Sequence, residues 1–232
     1  MTARVPESKL KKAVERQTQE KAPKKSSVTQ AHRLARGMEI AQKLRKQKTE
    51  TATLRRKAAK DGSYFVEPTP KVAFVVRTKG IHKVPPRPRK ILCLFRLRQI
   101  YNGVFVKLNS STIPMLRHIE PWVTYGQISP TTVKNLLFKR GFVKVNNQRI
   151  QIANNDIIDA AFSKTKTVRC FDDVADQITS CGPEFKKVTS TLWPFKLTAP
   201  RGGINKKRKH FIEGGDYGNR EAYMNKFVKQ CL

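Results

Sequence analysis

Acidic residues are scarce in this chain. Asp and Glu number 17 against 48 Lys and Arg in 232 residues, a formal net charge of +31. Between positions 71 and 152 there is one acid, Glu120, among 16 basic residues. General acid–base work needs convergent carboxylates or imidazoles. The four histidines, His32, His82, His118 and His210, are too scattered to stand in for them. The four cysteines, Cys93, Cys170, Cys181 and Cys231, contain no CxxC pair. A zinc module is therefore not expected, and reduced thiols are. Cys93, inside an apolar run, reads as a small core residue. No apolar run reaches membrane-spanning length, and the N-terminus lacks the apolar centre of a signal peptide. Adhesion to a membrane surface would need an amphipathic helix with Trp or Phe on its apolar face. Residues 1–60 contain neither. Internal repeats, zinc-finger spacing and basic-zipper heptads are also missing. What is not expected is thus an enzyme, a metal or cofactor site, a small-molecule substrate or a membrane partner.

What is present is positive charge, and its distribution is informative. Residues 1–60 hold 18 basic and 5 acidic residues; residues 153–200 hold 6 of each sign. Residues 201–232 hold 8 basic and 3 acidic. The surplus therefore lies on the apolar, core-forming part of the chain as well as on its ends. Self-repulsion at this level disfavours a compact fold unless a polyanion neutralises it. Nucleic acid is the polyanion this pattern predicts. Charge spread over several elements suits folded RNA better than one helix in a DNA groove.

Four segments follow. Residues 1–60 form a basic extension with few large apolar residues. Thr29–Lys60 is rich in helix formers with a thin stripe at Leu34, Met38, Ala41 and Leu44. Alone it reads as a disordered tail, and on a polyanion as a long helix. "EPTP" (Glu67–Pro70) marks a boundary, and 61–126 reads as β-α-β-α-β. Its strands are Lys71–Arg77, Val104–Leu108 and Pro121–Gly126; its helices are Lys90–Ile100 and Asn109–Ile119, the second capped by Asn-Ser-Ser. This predicts an α/β fold with a three-stranded sheet and two helices on one face, ferredoxin-like (split βαβ).

Segment 127–200 adds a helix with Ser129 as N-cap, Pro130 first and Gly141 as stop. A hairpin turns at Asn146-Asn147 within Phe142–Ile152. A short Asn-capped helix and the helix Cys170–Ser180 follow. Asp172, Asp173 and Asp176 lie near the start of the latter, where carboxylates suit the helix dipole. Segment 201–232 reads as an irregular, Gly-rich tail, with "GGDYGN" (Gly214–Asn219) as turns.

Three basic clusters are candidate phosphate contacts. The first is the elbow "KGIHKVPPRPR" and the helix after it: Lys79, Lys83, Arg87, Arg89, Lys90, Arg96 and Arg98. Prolines stiffen that loop, so its cations are presented at low entropic cost. The second is Lys139, Arg140, Lys144 and Arg149. The third is the run Lys206, Lys207, Arg208 and Lys209, a phosphate clamp or a nuclear import address.

"KVAFVVRTKGI", "RKILCLFRLRQIYNGVFVKLN", "MLRHIEPWVTYG", "LWPFKL", "PRGG" and "HFIEGGDYGNRE" resemble the eukaryotic family of large-subunit ribosomal protein seven. That family is the extended relative of the small bacterial ribosomal protein thirty. The likeness runs from Tyr64 to about Leu232, with the motifs in family order; residues 1–60 match in character only. It implies a structural, non-catalytic constituent of the cytosolic 60S subunit, a ribonucleoprotein component active in translation. Large-subunit rRNA and neighbouring ribosomal proteins would be its partners, with assembly in the nucleolus. A related nucleolar assembly factor for the large subunit is the alternative; the intact "LWPFKL" and "HFIEGGDYGNRE" favour the ribosomal protein.

Overall fold

The central strand is the run "VAFVVR". It is β1 (Val72–Arg77), in a computed structural model that describes residues 27–66, 68–163, 165 and 167–232. Expectations for residues 1–26 and for Glu67 lie outside the described residues. The described chain divides into two units, one ending at Lys43 and one from Leu44 to Leu232. Helix α1 (Ser27–Lys60) is the long helix its composition predicts, and Leu34, Met38 and Leu54 are exposed on it.

The second unit continues with α2 (Pro86–Leu94), β2 (Asn102–Lys107), α3 (Thr112–Ile119), β3 (Val123–Gly126) and α4 (Pro130–Arg140). A hairpin of β4 (Phe142–Val145) and β5 (Gln148–Gln151) follows, then α5 (Asn155–Ala161), α6 (Phe171–Ser180) and α7 (Phe185–Thr191). The last elements are β6 (Phe195–Lys196), β7 (Lys206–His210), β8 (Gly215–Asn219) and α8 (Met224–Cys231).

β1 pairs antiparallel with β2, Phe74 opposite Phe105, and with β3, Val76 opposite Thr124. This is the expected β-α-β-α-β unit, but the sheet is wider than three strands. Its order is β6-β2-β1-β3-β8-β7, with β3, β8 and β7 mutually parallel neighbours. Both faces are covered. Val75, Val104, Val106 and Val123 pack with Leu92, Leu97, Leu116 and Ile119 from the α2–α3 side. Phe74, Val76 and Phe105 pack with Leu136, Val174, Val188, Phe195 and Phe227 in the larger cluster on the other side. Burial on both faces explains why β1 is a continuous apolar run. The rings of Phe74, Phe105 and Phe195 lie 4.9 to 6.0 Å apart and fasten β6 to the sheet.

Several local expectations hold. Ser129 Oγ accepts from the Thr132 amide at 3.3 Å, with Pro130 behind it. Asn146 and Asn147, both at positive φ, turn the hairpin. Asp172 pairs with Lys134 across α4 and α6, and buried Asp173 accepts from the Arg169 amide and the Cys170 thiol. Others are corrected. The helix assigned to Lys90–Ile100 starts earlier and stops sooner, at Pro86 and Leu94. Pro86 and Pro88 fit its first turn, where amides have no intrahelical acceptor; Arg89 N is the first to bond, to Pro85 O at 3.0 Å. Cys93 is consequently exposed, not core. α3 begins at Thr112, and its Asn-Ser-Ser does not cap it by side chain. Thr112 Oγ1 instead accepts from Asn109 N and donates to Lys107 O. The Asn154 side chain caps nothing; Asn155 Oδ1 accepts from Phe171 N. Nor is the tail irregular: "GGDYGN" contains β8. Gly215 is needed there because a Cβ would strike the Lys209 carbonyl, and Gly218, at φ +88°, because one would strike the His210 ring. Arg220 then clamps β8 between Thr124 Oγ1 (2.7 Å) and Asp216, with its guanidinium over the rings of Phe211 and Phe227.

Two arginines close the elbow. Arg77 is 4% exposed. Its guanidinium donates to the carbonyls of Lys79 (2.8 Å), Gly80 (2.7 Å), Leu97 (2.7 Å) and Arg98 (3.1 Å), so both ends of the Lys79–Arg98 excursion are held by one side chain. Arg96 ends α2 in the left-handed region, φ +60°, where glycine is usual. Arg96 N bonds Cys93 O and Leu97 N bonds Leu92 O, the Schellman pattern. Its guanidinium reaches the carbonyls of Thr189 (2.6 Å) and Leu192 (2.9 Å) at the C-terminal end of α7.

Arg77→Met should destabilise the protein by about 1–3 kcal/mol in urea unfolding, because buried carbonyls are left without their donor. Arg77→Lys should recover little, since an ammonium cannot span this fork; full recovery would refute the geometry. Arg96→Gly should be more stable than Arg96→Ala by about 1 kcal/mol: neither can bond the α7 carbonyls, but only glycine relieves the backbone. Equal destabilisation would remove the strain argument. Burial pushes the thiols of Cys170 and Cys231 up to about 11 and about 12. With thiolate as the reactive form, the folded protein should react rapidly with a disulfide reagent at Cys93 and leave Cys170 and Cys231 untouched until it unfolds.

Candidate nucleic-acid interface

The elbow's cations face solvent while its Val84 is anchored. Val84 and Leu92 are buried, and between and around them Lys83, Arg87, Arg89 and Lys90 are exposed. The amides of Thr78 and Lys79 bond Trp122 O, which ties the start of the excursion to the turn before β3. To the stiffness expected from the prolines is added the hold of Arg77, which sequence reasoning missed. The signal was there: an arginine ending a strand that is otherwise apolar.

The elbow splits toward two other basic clusters. At its start, Lys79 Nζ lies over the Tyr217 ring at 5.3 Å. Burial, and then the like charge of Arg208, lower its pKa. Lys79 thus neighbours β7, whose Lys206, Lys207, Arg208 and Lys209 are exposed along the sheet's edge. At its end, Arg96 and Arg98 join Lys144 and Arg149 of the hairpin in one cleft of about 490 Å³. Lys144 and Arg149 are cross-strand partners, and the Arg149 guanidinium lies 3.8 Å from the centre of the Phe142 ring. Trp193, Gln99 and Lys196 also line the cleft, and none of its lining residues is Asp or Glu. Lys196 and Trp193 were missed by sequence reasoning. Lys196 could have been found by strand alternation, since it follows buried Phe195. Lys139 and Arg140 are not among the cleft residues; they occupy the last turn of α4, where cations suit the helix dipole. Arg96 differs from its neighbours in the cleft, because burial lowers its pKa and its guanidinium is bonded to α7 carbonyls.

Glu120, the lone acid of residues 71–152, is turned inward to its neighbours. It accepts from Tyr125 Oη at 3.2 Å and lies 3.2 Å from His210 Nε2. His210 Nδ1 accepts from Ile212 N, which assigns the proton to Nε2 and makes it the donor to Glu120. The carboxylate joins the turn before β3 to the end of β7. Burial, with Glu120 beside it, pushes the Tyr125 hydroxyl up to about 12. The one acid of this region is thus engaged in holding strands together.

The family described as Ribosomal protein L30p/L7e matches residues 73–123, from β1 to the first residue of β3. The large ribosomal subunit protein uL30 of Caenorhabditis elegans is 45% identical over 197 residues, 85% of this chain and 80% of that protein. Its namesake from Dictyostelium discoideum is 42% identical over 237 residues, 98% and 95% of the two chains. The uL30B protein of Schizosaccharomyces pombe is 44% identical over 236 residues, 98% and 94%. With identity at that level along nearly its whole length, the chain belongs to the eukaryotic uL30 (L7e) family.

Proposed function

We propose that the protein is a structural constituent of the large ribosomal subunit of the cytosolic ribosome and binds large-subunit rRNA. The observation that carries this reading is the disposition of charge. The elbow, the hairpin and the β7 edge hold exposed cations, and the lone acid of residues 71–152 is engaged with Tyr125 and His210. Phosphate contact is favoured by such cations on a body that does not rearrange. Lys83, Arg87, Arg89 and Lys90 would meet one stretch of backbone, Arg98, Lys144 and Arg149 a second, and Lys206, Lys207 and Arg208 a third. Lys79 sits between the first and third. Lys139 and Arg140 extend the second, whereas Arg96 would act mainly by holding α7. Neighbouring ribosomal proteins are the other partners. No catalysis is assigned. Assembly in the nucleolus would require import, for which the exposed Lys206–Lys209 run is a suitable address.

A tagged protein should sediment with the large subunit and its RNA. Confinement to nucleolar precursors would refute the reading as a mature constituent and favour an assembly role. Binding to large-subunit rRNA should fall by ~10³-fold between about 50 and 200 mM salt if about six phosphates are neutralised; a flat dependence would refute the electrostatic account. Changing Lys83, Arg87 and Arg89 to Ala should leave melting nearly unchanged, because these side chains reach solvent. It should lower the salt slope by roughly one for each phosphate no longer neutralised. Unaltered binding would remove the elbow from the interface.

A further inference from the structure

Trp193 is an aromatic residue held at the wall of a cation-lined cleft. It is 39% exposed. Its amide donates to Phe142 O at 2.9 Å, and Leu192 before it forms a β-bridge with Val143, so the hairpin fixes it on one side. Two residues later Phe195 is buried against Phe74 and Phe105, so the main sheet fixes it on the other. The backbone that carries the indole is therefore anchored on both sides. Around the cleft stand Arg98 beyond α2, Lys144 and Arg149 on the hairpin, and Lys196 on β6.

From this geometry we infer that the cleft binds an unpaired nucleotide of RNA, with the base stacked on Trp193 and the flanking phosphates met by Arg98, Lys144, Arg149 and Lys196. The inference rests on the RNA-binding reading and adds the kind of RNA. Within a duplex every base is stacked on both faces, so only the two ends offer a free face to the indole. A cleft of about 490 Å³ suits one extruded group. Stacking on an aromatic ring is how single-stranded RNA is commonly gripped. Lys and Arg with no carboxylate among the lining residues match a phosphate chain and repel a basic protein segment.

The test uses the full chain carrying Trp122→Phe, which leaves Trp193 as the sole indole, since the sequence has two Trp. A short single-stranded oligoadenylate should quench Trp193 emission, and a long blunt-ended RNA duplex at the same nucleotide concentration, in which only the ends offer a free base face, should quench little. Polarisation of labelled RNA, which needs no indole, provides the second measurement. By it, Trp193→Ala should weaken oligoadenylate binding roughly 5- to 100-fold, leave duplex binding unchanged, and be largely rescued by Trp193→Phe. Equal weakening of both RNAs, or binding without quenching, would overturn the stacking site while leaving general RNA binding intact. Quenching by an acidic peptide in place of the oligonucleotide would overturn it too and assign the cleft to a protein. Failure of both RNAs to bind the unmodified chain would overturn the RNA reading itself and this inference with it.

Discussion

The guanidinium of Arg77, buried among carbonyls, is the interaction on which the basic surface depends. Burying a cation is costly unless hydrogen bonds replace its water. In a region with one acid, a carboxylate partner is seldom available. The chain uses backbone carbonyls instead, from Lys79 and Gly80 at one end of the elbow and from Leu97 and Arg98 at the other. One planar fork thereby sets the loop's width. Arg96 solves the same problem at the end of α7, where carbonyls lack helical donors and carry the negative end of the dipole. In both cases an inward cation determines where outward cations stand.

Three of the acids complement this arrangement. Glu120 binds Tyr125 and His210, Asp173 holds the start of α6, and Asp216 pairs with Arg220 in the core. These carboxylates act between elements, where a low local dielectric strengthens them. Withdrawing them from the surface leaves a positive exterior that repels itself. A polyanion that binds only the folded form relieves that repulsion and stabilises the fold by mass action. Stability and RNA binding are then coupled through the same charges.

What was legible in the sequence follows from what leaves a local pattern. The strand "VAFVVR", the Ser129-Pro130 helix start and the Asn146-Asn147 turn each state their structure within a few residues. β8 does not, because Gly215 and Gly218 are there for close approach to Lys209 and His210, which are separate in sequence. β6 is two residues long and exists through the packing of Phe195 on Phe74 and Phe105. The prolines of the elbow read locally as helix breakers, whereas Pro86 and Pro88 occupy the first turn that tolerates them. The cations of the site were visible, but their grouping was not. Arg98 meets Lys144 and Arg149 only because Arg96 and the Leu192–Val143 bridge bring α2, α7 and the hairpin together.

That grouping separates three surfaces of different shape. The elbow is an outward corner whose cations can follow a backbone ridge, and nothing in it selects an unpaired base. The cleft is concave, walled by an indole and cations from three elements, and it rewards a base that is already unstacked. β7 is an edge strand whose free backbone groups would otherwise invite pairing with another chain; its Lys and Arg oppose that and offer phosphate contacts instead. A chain with one such surface would bind many RNAs. On the proposed reading, three of them, at distances set by the sheet and by Arg77 and Arg96, call for an RNA that presents ridges and an extruded base in matching positions. Specificity of this kind would come from the rigidity of the protein between contacts, and the residues that supply it are the inward-turned arginines rather than the exposed ones.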